Sequence, residues 1–94
     1  MSIKTFRHKG LRRLYHDDDA SGVQPEWADN LRHMLHVIDT ASSVRDIGQF
    51  PGWKLHPLKG DRKGSWGLTI TGNWRLTFRF EKGDAFDLNI EDYH

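Results

Sequence analysis

Cysteine is missing from all 94 residues. That excludes a disulfide framework and a thiolate metal site, and it fits a reducing cytosol. No apolar run approaches the length of a membrane span. The start, Met1-Ser2-Ile3-Lys4-Thr5-Phe6-Arg7, has no signal-peptide core. A soluble, cytoplasmic protein with no membrane contact is expected. Internal repeats and low-complexity tracts are also missing. His33 and His36 are three apart on a helical stretch, but no third ligand accompanies them, so neither a metal site nor a cofactor is expected.

At 94 residues the chain is expected to form one domain over residues 1–94, with a thin core. Four Trp and five Phe can fill such a core with few side chains. Net charge is only +1, yet the charge is segregated. Residues 1–16 carry five basic and no acidic side chains, residues 17–46 seven acidic and two basic, residues 47–82 seven basic and two acidic, and residues 83–94 four acidic. Patches, not totals, attract polyanions. From charge alone, an ordinary solvated surface is the simpler reading.

The first half reads as helical. Ile3 to Phe6 fits a short strand, and Leu11, Leu14 and Tyr15 fall at helical spacing within Gly10 to His16. Pro25 suits a first helical turn. Trp27, Leu31, Met34, Leu35 and Ile38 then recur at steps of three and four, predicting a helix over 26–40. Ser43-Val44-Arg45-Asp46 fits one further turn. The second half alternates. Trp53 and Leu55 interleave with polar neighbours, as do Trp66, Leu68 and Ile70, then Trp74, Leu76, Phe78 and Phe80, then Phe86, Leu88 and Ile90. This predicts an antiparallel sheet with one buried and one open face. The fold class is α+β in two layers, with N-terminal helices on one face of a mainly antiparallel sheet of four to five strands. Trp53, Trp66 and Trp74 read as core.

Parity predicts register. Opposed residues of paired strands share a face. For the even-numbered apolar residues to lie together, the loops are predicted to be Lys82-Gly83-Asp84 and Gly72-Asn73-Trp74. Glu81 then opposes Ala85, Arg79 opposes Asp87, Thr77 opposes Asn89, Arg75 opposes Glu91 and Thr71 opposes Arg75. Asp92, Tyr93 and His94 would run beside the Gly72-Asn73-Trp74 turn. His56 shares the polar face of its strand, with Lys59 just beyond it.

That edge would gather Asp92, Tyr93, His94, Arg75, Asn73, and His56 with Lys59. Cleaving RNA without a metal requires activating a 2′-hydroxyl, stabilising charge on phosphorus and protonating the leaving 5′-oxygen. His or Asp can supply the base and the acid, and fixed Arg and Lys can supply the charge. Tyr93 can stack on a base or donate a hydrogen bond. Duller readings stand beside these. Arg79 is better read as pairing with Asp87, and for Arg75 a pair with Glu91 is as good a reading as a catalytic role.

Three blocks in order carry a resemblance: Lys54-Leu55-His56-Pro57-Leu58-Lys59-Gly60-Asp61-Arg62-Lys63-Gly64, then Asn73-Trp74-Arg75-Leu76-Thr77-Phe78, then Glu91-Asp92-Tyr93-His94. Together they resemble the HigB-type toxins, also called plasmid maintenance killer proteins, a branch of the RelE superfamily. The likeness spans nearly the whole chain. It implies a RelE-like fold and codon-dependent cleavage of mRNA in the ribosomal A site. It also implies inhibition by a cognate helix-turn-helix antitoxin.

By that resemblance His56, Asp92 and His94 would be acid–base residues, Lys59 and Arg75 would stabilise phosphate, and Tyr93 and Asn73 would orient the substrate. Which residue is base and which is acid stays open. Lys54, Arg62 and Lys63 would bind substrate. With Arg7, Lys9, Arg12 and Arg13 they would form the ribosomal RNA footprint. A ParE-type toxin that poisons DNA gyrase would keep the fold without an acid–base cluster. A catalytically inactive RNA- or protein-binding domain would keep only the cationic face.

Overall fold

The computed structural model describes residues 1–93, and His94 lies outside the described residues. The first helix, α1 (Lys9–Asp17), is capped by His8, whose Nδ1 accepts from the Leu11 amide at 3.1 Å. Leu11 and Leu14 point into the core. The helix stops at Asp18, which takes a left-handed φ of 53°. Two single 3₁₀ turns, Ala20–Gly22 and Pro25–Trp27, lead into α2 (Ala28–Thr40). The predicted helix thus begins as a tighter 3₁₀ turn, with the Trp27 amide bonded to the Gln24 carbonyl at 3.0 Å. Ala28, Leu31, Met34, Leu35 and Ile38 form its buried stripe. A single turn, α3 (Val44–Ile47), follows Ser43 as expected.

The strand predicted from Trp53 is much shorter than its alternation suggests. Trp53 ends a 3₁₀ turn begun at Pro51, and Lys54 takes a left-handed φ of 49°. Only His56–Pro57 pairs, as β1, because Pro51 favours a turn and Pro57 lacks an amide to extend the ladder. Three long strands follow, β2 (Ser65–Thr71), β3 (Trp74–Glu81) and β4 (Asp84–Asp92). They form one antiparallel sheet in the order β1-β2-β3-β4. The N-terminal segment lies parallel to β4 through bridges at Ile3–Ala85 and Phe6–Leu88. Its bonds, such as Lys4 N to Ala85 O and Ala85 N to Ser2 O at 2.8 Å, cover the β4 edge.

Register differs from the parity argument at both turns, and for one reason. Each hairpin uses a two-residue loop and corrects its parity with a bulge. At the β3–β4 turn Glu81 opposes Asp84, not Ala85. Lys82 (φ 50°) and Gly83 (φ 84°) are both at positive φ, as a type I′ turn needs. The pairing then slips between Thr77 and Arg79, so Arg79 opposes Phe86 and not Asp87. Asp87, at φ 58°, is the extra residue. Beyond it, Thr77↔Asn89 and Arg75↔Glu91 hold as expected. At the β2–β3 turn Thr71 opposes Trp74, with Gly72-Asn73 as the loop, and Ile70 is the extra residue, so Arg75 faces Thr69.

The bulge at Asp87 redistributes the faces. Ala85 and Leu88 enter the core, whereas Phe86 turns to the open face, with the Arg79 guanidinium 4.8 Å from its ring centroid. The core joins Leu68, Ile70, Leu76, Phe78, Ala85 and Leu88 to Leu11, Leu14, Leu31, Met34, Ile38 and Ile47. Trp53 belongs to it and Trp66 packs on its margin, but Trp74 does not. Trp74 is 37% exposed at the sheet end and tilts against Trp27 at 5.2 Å. No helix among the described residues is long and apolar enough to cross a membrane.

Candidate active site

The helices leave one face of the sheet open, and the candidate groups lie there. Tyr93 is held at the end of β4 by a bond from its amide to the Asn73 carbonyl at 2.7 Å. This bond brings the tail beside the Gly72-Asn73 turn. Asp92 pairs with Trp74 across the strands and is exposed. Tyr93 has two neighbours from the set. The Arg75 guanidinium carbon is 5.8 Å from its ring centroid, and the His56 ring is 6.3 Å away, edge on. His94, expected to complete the cluster, lies outside the described residues.

His56 is fixed by its own loop. Its Nδ1 is 3.0 Å from the Lys54 carbonyl. A carbonyl only accepts, so Nδ1 is the donor, and in the neutral ring Nε2 is then the acceptor. The left-handed Lys54 backbone turns that carbonyl inward, so Lys54 serves the site through its main chain while its side chain is exposed. Below the imidazole lies Gly67, the β2 partner of His56. A Cβ on Gly67 would sit 3.0 Å and 3.1 Å from two ring atoms of His56. Glycine lets the imidazole lie close over the sheet.

Arg75 does not pair with Glu91, although the two are directly opposed. Its Nη1 donates to the Gly72 carbonyl at 2.7 Å and the Trp74 carbonyl at 3.2 Å. Its Nε is buried without a hydrogen-bond partner among the described residues, and so is Thr69 Oγ1 on the facing strand position. Buried polar atoms left unbonded cost stability.

Glu91 is engaged by Arg62. Nη1 and Nη2 of Arg62 donate to Oε1 and Oε2 at 2.8 and 2.7 Å, and the buried Thr77 hydroxyl donates to Oε2 as well. Hydrogen bonding by the Arg62 guanidinium, followed by that of Thr77, holds the Glu91 carboxyl below its ordinary value despite burial. Arg79 pairs with Glu81 and, at 3.4 Å, with Asp87, so the expected Arg79–Asp87 ion pair survives the register shift.

Lys59 and Lys63 are exposed on the loop that leaves β1. The Leu58 amide bonds the Ser65 carbonyl. Lys59 therefore lies toward the Ser65 end of β2, about 13 Å along the strand from the level of Thr69 and Arg75. The structure gathers His56, Asn73, Arg75 and Tyr93, with Asp92 on the adjoining backbone. It sets Lys59 and Lys63 toward the other end and gives Arg62 a carboxylate partner. Gly67, Thr69, Thr77 and the Glu91–Arg62 pair went unnoticed in the sequence. Only the alternation that put Thr69 and Thr77 on the polar face hinted at two of them.

The chain is similar to known proteins over nearly its whole length. Residues 4–94 match the family model described as RelE-like toxin of type II toxin-antitoxin system HigB. The protein named Endoribonuclease HigB from Proteus vulgaris is 48% identical over 92 residues, covering 98% of this chain and 99% of that protein. Among solved structures, YafQ from E. coli strain BL21(DE3) superimposes with a TM-score of 0.54 at 13% identity, over 97% of this chain and 91% of that one. A chain of the toxin-antitoxin complex RelBE2 from Mycobacterium tuberculosis gives a TM-score of 0.53 at 11% identity, over 99% and 96%. At these identities the structural likeness speaks for the fold, which is RelE-like. The sequence match speaks for more: this chain belongs to the HigB family of RelE-like toxins of type II toxin–antitoxin systems.

Proposed function

We propose that this toxin is an endoribonuclease that cuts mRNA held in the ribosomal A site and so stops translation, until a helix-turn-helix antitoxin restrains it. The observation that carries the reading is the meeting of the Arg75 guanidinium and the His56 ring on either side of Tyr93, on the open face of the sheet. Arg75, whose Nη1 is taken up by the Gly72 and Trp74 carbonyls, meets a phosphodiester oxygen with the rest of its guanidinium charge. The 48% identical relative bears the name Endoribonuclease HigB, which supports the same chemistry.

The reaction needs only the RNA. Its 2′-oxygen bonds to phosphorus, the P–O5′ bond breaks, and the products are a 2′,3′-cyclic phosphate and a 5′-hydroxyl. His56 is suited to receive the 2′-hydroxyl proton, because its Nδ1–H is committed to Lys54 O and Nε2 is left as acceptor. Arg75 meets the charge that grows on the phosphoryl oxygens. Tyr93 stacks on a base or donates to the substrate, and Asn73 orients the tail through its carbonyl. Asp92 and His94 are the candidates to protonate the leaving 5′-oxygen. Lys59, Lys54 and Lys63 extend the cationic surface that RNA follows.

The site is open and small, so it has few groups to align a flexible strand. The ribosome supplies that alignment. The test uses purified toxin with mRNA, free or bound in programmed ribosomes. Ribosome-bound mRNA is cut and leaves a cyclic phosphate end, while free RNA is cut far more slowly. Efficient cutting of free RNA, or ends bearing a 5′-phosphate, would overturn the reading.

A further inference from the structure

Arg75 and Glu91 face each other across β3 and β4. Opposed positions put Cβ atoms about 5 Å apart, close enough for an ion pair. That pair does not form. Arg62, which departs from the loop at the far end of β2, reaches over the open face and takes both oxygens of Glu91 at 2.8 and 2.7 Å. Thr77 supplies a further donor from the floor of the sheet. A bidentate guanidinium–carboxylate pair is geometrically better than the single contact that neighbouring strands permit. Arg75 is left with two backbone carbonyls and an unused Nε.

We infer that Arg62 is a positioning residue that captures the Glu91 carboxylate and thereby keeps Arg75 available to the scissile phosphate. Were Arg62 lost, Glu91 would turn to Arg75. It would then occupy the guanidinium, cancel its charge and set a negative group against the RNA. Arg62 thus acts on the substrate through Arg75, with its own donor fork spent on Glu91. The inference rests on the reading of Arg75 as the phosphate-stabilising cation.

The experiment measures the maximal cleavage rate of ribosome-bound mRNA and the ribosome concentration that half-saturates it, for the full chain. Arg62→Ala is expected to lower the maximal rate about tenfold, with half-saturation changed by less than about twofold. Adding Glu91→Gln, which keeps the size and an acceptor for Thr77 but removes the charge, is expected to restore most of that rate. A second substitution that repairs the first is not the signature of a merely structural contact. Equal rates for Arg62→Ala and Arg62→Ala/Glu91→Gln would overturn the inference. So would a rise in half-saturating concentration at unchanged maximal rate, which would make Arg62 a direct RNA contact. Arg75→Ala separates the two layers. If it cleaves at the native rate, the reading of the site fails, and if it is slow while the rescue is missing, only the capture by Arg62 fails.

Discussion

Thr69 and Arg75, opposed across β2 and β3, each keep a buried polar atom unbonded. In a protein under selection for stability alone, Thr69 would be expected to be Val, which matches its shape without the hydroxyl. Thr69→Val is therefore predicted to raise unfolding free energy by about 1 kcal/mol while lowering mRNA cleavage. Thermal melting and a cleavage assay on the same sample check it, and a loss of stability with full activity would contradict it. This kind of trade is common where function needs an under-satisfied group. The chemical cast was partly legible in the sequence, because His, Arg, Tyr and Asp in ordered blocks point to acid–base work on a phosphate. The partnerships were not. Sequence spacing offers Glu91 to Arg75, and nothing in a linear reading reveals that Arg62 reaches back over the sheet to take it. Nor does a lone Gly67 announce that an imidazole rests on it.

Individual elements follow local chemistry closely, and two of them offer tests away from the site. Helix α1 is capped by an unprotonated His8 nitrogen, and burial lowers the His8 pKa from its ordinary value. Both facts favour neutral His8 in the folded state. The sign follows: the contribution is complete above the ordinary histidine value of 6.5, and it is lost as pH falls through that value toward the lower folded one. Stability is predicted to drop across that acidic window in the native chain and less so in His8→Asn, which caps without titrating. Denaturant melts at a series of pH values decide it, and equal pH slopes for the two proteins would contradict it. The β3–β4 turn places Lys82 at φ 50°, a conformation that favours Asn over a long side chain. Lys82→Asn is predicted to add about 0.5 kcal/mol, read as a higher denaturation midpoint. These turns also explain what the sequence hid. Alternation of apolar residues identified β2, β3 and β4 and the faces of the first two. It could not foresee that a two-residue loop plus a bulge restores parity as well as a three-residue loop does. The bulge at Asp87 then sends Phe86 to the open face and Ala85 to the core. In the same way Trp74 shares the core parity of Leu76 and Phe78, yet it sits at the strand end, where the core has run out.

Across the whole molecule the two-layer arrangement was legible, because helical spacing fills the first half and alternation the second. Topology adds what no local pattern contains. The N-terminal segment returns to cover the β4 edge, and the chain's last strand runs beside the turn that precedes Arg75. Arg7, Lys9, Arg12 and Arg13 from the first half and Lys54, Lys59 and Lys63 from the second are all exposed. Ribosome binding is predicted to weaken steeply as salt rises, because each phosphate contact releases counterions. Titrations at several salt concentrations would show it, and a flat response would remove these residues from the footprint. The central feature of the site is a tail that meets a cation and an imidazole on an open sheet. Its most direct test is primer extension on cellular mRNA after induction of the toxin, comparing the native chain with Arg75→Ala, Asp92→Ala and His94→Ala at matched protein levels. Discrete cleavage stops within translated codons are predicted for the native chain, and their loss in the folded variants. The same stops persisting undiminished in all three would contradict the account.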